Sequence, residues 1–297
     1  MVRHVKKITS LTQSEVRHVL SLAARMKAEP ARFENALWRK SLLMLFEKPS
    51  LRTRVSLEVG MTQLGGHAIA YMTGDSPIGQ KESYEDTAAV VSRMADAVTA
   101  RVKSRSQIDG LCSATVPVIN ALDDFAHPMQ MLADLLTIEE KKKGLTVKLG
   151  FVGDLANNVT YDLIRSGWLM GFEVRVAGTG EIEQAVYDEC STTVNRFETA
   201  EEAVKDCDVV YADSWLSYGV DSSEDRLRQL MPFQVTSTLM QHAKPDAVFM
   251  NCLPAMRGQE QTADVIDGPQ SIVFDQAENR LHAQKALLVA LLSGDIC

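Results

Sequence analysis

A chain of 297 residues can bury one large core or two ordinary ones, and two domains is the expected organisation. Apolar residues make up 45% and charged residues 24%, the balance of a soluble globular protein, with no run near the roughly 18 apolar residues of a membrane span. A net charge of −8 argues against a nucleic-acid binder, although it leaves room for a local basic pocket.

The opening MVRHVKKITS lacks the apolar stretch of a secretory signal. Leu11–Pro30 is helical and stops near its proline. Short apolar strands and helices then alternate. Strand Ser41–Phe46 leads into a helix from about residue 51, with Val55, Val59 and Leu64 recurring on one side. Strand His67–Met72, the loop GDSPIGQKES and helix YEDTAAVVSRM follow, then strand Ala97–Val102, helix SQIDGLCSA, strand VPVINA and the long helix HPMQMLADLLTIEEKKK. That order predicts a parallel sheet covered by helices.

The pattern restarts at LTVKLGFVGD, and the charged EEKKKG before it marks the boundary between residues 1–143 and 144–277. The second half reads as helix YDLIRSGWLMG, strand FEVRVAG, helix AVYDECSTT, strand Val209–Ala212 and strand AVFMNCLP. The last segment, AENRLHAQKALLVALLSG, is one amphipathic helix. The fold class is therefore α/β, with two domains that each hold a parallel sheet flanked by helices. Five cysteines (Cys112, Cys190, Cys207, Cys252, Cys297), odd in number and without a CxxC pair, read as reduced thiols in a cytoplasmic setting, with no metal site.

Five stretches fall at the carboxyl ends of strands, where open α/β sheets place ligand groups. PSLRTR puts Ser50, Arg52, Thr53 and Arg54 at a helix N-terminus, whose partial positive charge repels cations unless an anion is bound there. Alone, Ser50 also reads as a plain N-cap and the arginines as solvated. Arg101 ends an apolar strand, a costly place for a cation without an anionic partner, and a structural ion pair would serve as well. HPMQ opens the long helix with Pro128 at its first position and sets His127 and Gln130 on one face. FVGDLANN carries Asn158 but lacks the GxGxxG of a dinucleotide loop. NCLP and ADSWLSYG bring Cys252, Leu253 and Asp213 to strand ends, where a buried thiol and a capping carboxylate are the ordinary roles. Gathered together, the first set suits a small anion and the second an amine-bearing partner.

PSLRTR resembles the carbamoyl-phosphate signature SxRTR of the aspartate and ornithine carbamoyltransferase superfamily. ARV, HPMQMLAD, VGDLANN, DSWLSYG, NCLP and FDQAENR follow in the family's order over nearly the whole chain. CLP and D-x-W-x-S-x-G are similar to the ornithine branch. The resemblance implies that Ser50, Arg52, Thr53 and Arg54 bind the phosphate of carbamoyl phosphate. Arg101, His127 and Gln130 would hold its carbamoyl group, with Arg280 and the backbone around Cys252 and Leu253 completing the pocket. Asn158, Asp213, Ser217 and Tyr218 would hold the amino-acid end of ornithine. Arg101, His127, Asp213 and Cys252 would carry the chemistry. It also implies no metal or organic cofactor, a C-terminal helix (residues 278–297) that packs back on the first domain, and a homotrimer with sites at subunit interfaces. The chain departs from the ornithine pattern at Asn251 (usually histidine), Tyr218 (usually methionine) and Pro77 (usually glutamine). The expected reaction is carbamoyl transfer to ornithine. The alternatives are transfer to putrescine, an N-acylated ornithine or another diamine, or a carbamoyl-phosphate-binding regulator with impaired turnover.

Overall fold

A computed structural model describes residues 2–74, 76–190, 194–215 and 223–296. It divides into two compact units, Met1–Leu136 with Glu278–Cys297, and Thr137–Ala277. Among the described residues no helix is long and apolar enough to cross a membrane.

The first unit grows around SLLMLF, β1 (Ser41–Phe46), whose apolar side chains face both ways and so need cover on both faces. Before it, α1 (Gln13–Ala28) starts at a reciprocal cap: Thr12 accepts from the Glu15 backbone and Glu15 accepts from Thr12. After it come α2 (Leu51–Gln63), β2 (His67–Met72), α3 (Tyr84–Val91), β3 (Ala97–Arg101), α4 (Arg105–Leu111), β4 (Val118–Leu122) and α5 (Pro128–Lys142). The four strands are parallel in the order β2-β1-β3-β4. Chain order reverses between β1 and β3, so their carboxyl ends open the crevice where such sheets bind ligands. Leu45, Val98, Ala100 and Val118 pack with Ile108 and Leu111 in one core cluster.

Of the three apolar residues recurring at helical spacing along α2 and its cap, only Leu64 is buried. Val55 and Val59 are exposed, whereas Thr53, Ser56, Leu57, Gly60 and Met61 are buried. The cause is the final helix, α12 once the second unit's elements are counted (Val273–Ser293). Its Lys285 Nζ donates to Gln63 Oε1 at 2.8 Å, and its Gln284 meets the buried Ser56. Asn279 of the same helix accepts from Lys27 of α1 at 2.8 Å. The last helix thus meets α1 and α2 through polar side chains as well as burying apolar ones such as Ala283, Ala286 and Leu287.

The second unit contains β5 (Lys148–Asp154), α6 (Asn158–Met170), β6 (Glu173–Thr179), α7 (Gln184–Cys190), β7 (Val194–Arg196), α8 (Ala200–Val204) and β8 (Val209–Tyr211). It continues with α9 (Glu224–Leu230), α10 (Ser237–Met240), β9 (Val248–Met250), α11 (Ala263–Ile266) and the start of α12. Its parallel sheet runs β7-β6-β5-β8-β9, with the reversal between β5 and β8. Gly178 is fixed by close approach, since a Cβ there would lie 1.8 Å from the Gly153 carbonyl oxygen. Helix α6 is buried on nearly every side and carries the fully buried Arg165, paired with Asp162 at 2.8 Å and Glu189 at 3.1 Å. A lone guanidinium there would be prohibitive, so these carboxylates keep α6 in place.

Candidate functional site

In the first unit, Ser50 precedes α2 with extended backbone, and its side chain makes no capping hydrogen bond. The ordinary N-cap role is therefore unfilled, and the open N–H groups of the first turn keep their affinity for an anion. One turn in, the buried Thr53 Oγ1 accepts from Arg280 at 2.9 Å. The same guanidinium donates to Gln130 Oε1 at 2.6 Å, and Gln130 Nε2 donates to Asp134 at 2.8 Å. Gln284 satisfies both neighbours when its amide oxygen accepts from Arg280 Nε at 2.9 Å and its nitrogen donates to Ser56 Oγ at 2.6 Å. α2, α5 and α12 each contribute two members of this buried network.

Arg101 stands at an irregularity between β3 and β4. Ala100 pairs with Asn120 but Arg101 pairs with Leu122, so the ladder skips Ala121. Such a bulge breaks the strict alternation of side chains and re-aims one of them. His127, just before α5, is buried and held neutral. Burial pushes its imidazole well below the usual range, and the positive charges of Arg280, Arg101 and Arg52 push it further. Burial also lowers the Lys48 ammonium, with Arg101 the next cause. Positive charge therefore gathers where strand ends and a helix N-terminus converge, the electrostatics of an anion site. Arg54 is set apart: it lies exposed and pairs with Glu58 at 2.8 Å.

In the second unit the amine-directed residues also sit at strand ends. Asn157 caps α6 by accepting from Thr160 N at 2.8 Å, which fixes Asn158 as the first helical residue. Asp154, at the end of β5, accepts from Arg226 at 2.6 Å. Asp213 follows β8 and accepts from Cys252 Sγ at 3.0 Å. Burial pushes the Asp213 carboxyl up to about 6; the Cys252 and Ser214 hydrogen bonds oppose the rise, and the charges of Glu260 and Asp154 add to it. Ser217 and Tyr218 lie outside the described residues.

Several residues here escaped the sequence reading. Glu260 is fully buried and accepts from Trp215 N at 3.1 Å and Met256 N at 2.8 Å, tying the Asp213 segment to the Cys252 segment. Arg226, Lys48 and Gln284 were likewise unremarkable in the sequence, because each gains its meaning from a partner remote along the chain. The one available signal was charge placement in Glu260's neighbourhood, RGQEQ, which reads as a solvated turn.

Comparison with known proteins adds an independent line. Residues 3–140 match the family model for the aspartate/ornithine carbamoyltransferase carbamoyl-P binding domain, and residues 145–291 match that for the Asp/Orn binding domain. The catabolic ornithine carbamoyltransferase of Halobacterium salinarum is 43% identical over 300 residues, covering 98% of this chain and 100% of that protein. The anabolic ornithine carbamoyltransferase of Pyrococcus furiosus is 48% identical over 267 residues, covering 86% and 84%. The solved structure of an ornithine carbamoyltransferase from Pyrococcus furiosus superposes with a TM-score of 0.93 at 44% identity, over 99% of this chain and 98% of that one. The ornithine transcarbamoylase of Giardia lamblia gives 0.90 at 41% identity, with 98% of each chain covered.

Proposed function

The chain belongs to the aspartate/ornithine carbamoyltransferase family, and from that premise we propose that it transfers the carbamoyl group of carbamoyl phosphate to the side-chain amine of L-ornithine, giving L-citrulline and phosphate. The observation that carries the acceptor half is the 3.0 Å contact between Cys252 and the buried Asp213, a carboxylate and thiol fit to hold an amine. The anion half rests on Ser50 and the N-terminus of α2 beside the guanidinium groups of Arg52, Arg101 and Arg280.

The first unit supplies the phosphate and carbonyl end of the reaction. Ser50, Arg52, Thr53 and Arg54 receive the phosphate, with Arg54 leaving its exposed Glu58 contact to do so. The amine nitrogen attacks the carbonyl carbon, and the carbonyl electrons move onto oxygen. Arg101, Thr53 and neutral His127 are the donors to that oxyanion. The carbon–oxygen bond to phosphate then breaks, and phosphate departs with the electron pair. Gln130, Arg280 and the Cys252–Leu253 backbone hold the carbamoyl group. The second unit supplies the amine end, where Asp213 and Cys252 position the attacking nitrogen and Asn158, Ser217 and Tyr218 hold the amino-acid end. The amine must be neutral to attack, and the proton it sheds passes to the anionic carboxylate of Asp213, acting as general base.

The protein acts as a homotrimer in the cytoplasm. A trimer gives cover to the edge strand β2 and the outer face of α2, where Val55, Val59, Ile69, Tyr71 and Met72 are exposed. Light scattering is expected to return three times the chain mass of 32.8 kDa. The deciding assay is colorimetric citrulline formation at millimolar ornithine and carbamoyl phosphate, with putrescine and N-acetylornithine in parallel. Carbamoylation of ornithine is expected to dominate; turnover with putrescine alone, or none at all, overturns the reading.

A further inference from the structure

Asn251, which stands where the ornithine branch resembled above usually carries histidine, is completely buried just past β9. Three hydrogen bonds hold it. Its backbone N donates to Gln276 Oε1 at 3.0 Å, its side-chain Nδ2 donates to Gln261 Oε1 at 3.2 Å, and its Oδ1 accepts from Leu253 N at 2.8 Å. The supports are themselves anchored. Gln276 Nε2 donates to Tyr211 Oη at 3.0 Å, and Gln261 Nε2 donates to the Met256 carbonyl at 3.3 Å. Asn251, Gln261, Gln276 and Tyr211 are all fully buried.

The bond to Leu253 is the informative one. Leu253 has φ +58°, in the left-handed region that a side-chain-bearing residue adopts only at a cost. An asparagine oxygen that accepts from the N–H two residues on closes a local turn, and that closure offsets such a cost. The residue trapped inside this turn is Cys252, whose Sγ is held from its other side by Asp213.

We infer that Asn251 is a positioning residue for carbamoyl transfer: its side chain, braced by Gln261, locks the left-handed turn at Leu253 and so sets the direction of the Cys252 thiol and the Cys252–Leu253 backbone. The inference rests on the function proposed above, in which that backbone addresses the carbamoyl group and that thiol the amine. A neutral amide does this without introducing a titrating group next to Cys252 in the chain, as histidine would.

Three variants test it: Asn251→Ala removes the turn-closing oxygen, Asn251→Ser returns a weaker acceptor on a side chain one atom shorter that still closes such turns, and Gln261→Met removes the brace and leaves Asn251 in place. Steady-state kinetics with ornithine are expected to give a roughly 100-fold fall in kcat for Asn251→Ala, the scale of a misplaced reactive group, with KM for carbamoyl phosphate changed less than about threefold. Asn251→Ser should recover about tenfold of that loss, and Gln261→Met should lose about fivefold. A purely structural role predicts a lower Tm for each variant and equal kcat for the alanine and serine forms well below it, and that result overturns the inference.

Alkylation of Cys252 by iodoacetamide, followed on its peptide by mass spectrometry, is the second readout and needs no turnover. The rate should rise about fivefold or more in Asn251→Ala and fall back toward the parent in Asn251→Ser. If the parent makes no citrulline while this alkylation order holds, the proposed function falls and the positioning role stands. If citrulline forms and the two variants alkylate alike, the positioning role falls.

Discussion

Arg52→Ala is expected to cut kcat/KM for carbamoyl phosphate by roughly 30- to 5,000-fold, the range for removing one charged partner of a desolvated ionic contact. The same change should alter the stability of the unliganded protein by no more than about 1 kcal/mol. Arg52 sits in the first turn of α2, where the helix dipole disfavours a cation, so its removal relieves about as much as it loses. Arg52→Lys should rescue poorly, because an ammonium lacks the planar fork that grips two phosphate oxygens at once. Steady-state kinetics and thermal melts with and without carbamoyl phosphate check both halves. A variant that loses its thermal shift on adding carbamoyl phosphate, yet melts like the parent without it, supports the assignment. An unchanged kcat/KM removes Arg52 from the site.

Asp213→Asn carries the second large effect, and it separates activity from stability. Loss of the anionic carboxylate should lower kcat by about 100- to 10,000-fold, the usual yield of a positioned acid–base group. In the parent, kcat/KM for ornithine should climb as pH rises through about 6, where the buried carboxyl ionises. That limb should vanish in the variant. The stability effect has the opposite sense. Burial raises this carboxyl from the usual 3.8 to about 6, so the native state binds its proton more tightly than the unfolded chain does. The favourable contribution is complete below 3.8 and is lost as pH rises through 6. Between pH 4 and pH 7 the variant should therefore gain about 2 kcal/mol relative to the parent. Asparagine still offers an oxygen to the Cys252 thiol, so packing is little changed. Urea melts at the two pH values provide the measurement, and an equal stability difference at both would contradict the buried-carboxylate account.

The sequence made the two sheets legible because each strand is a short apolar run bounded by turn residues, and parallel strands covered on both faces read that way. SLRTR was legible for a different reason: two cations in a helix's first turn violate a local preference. What stayed hidden depends on partners distant in the chain. Val55 and Val59 recur at helical spacing and are nonetheless exposed; that helix meets α12 through Ser56, Gly60 and Gln63, and hydrophobic periodicity has no way to register a polar contact. α12 begins at Val273, ahead of the AENR expected to open it, with Asp275 in its first turn. α9, α10 and α11 span seven, four and four residues, too short for a helical period to show. Glu260 is the sharpest omission: its two carboxylate oxygens are taken by backbone N–H groups of Trp215 and Met256, and neither bond leaves a trace in residue type.

The buried Arg280 has a consequence for how the molecule is made. Thr53 and Gln130, its partners, are synthesised 227 and 150 residues before it. The whole of Thr137–Ala277 is translated in the interval between the two parts of the first unit. At roughly 5–20 residues per second that interval lasts ~7–30 s. Through it, the nascent chain waits on the ribosome without the guanidinium partner of Thr53 and Gln130. The half of the enzyme encoded first is the half finished last, and a chain cut short of its final helix would keep every SLRTR residue yet lose the cation that holds Thr53.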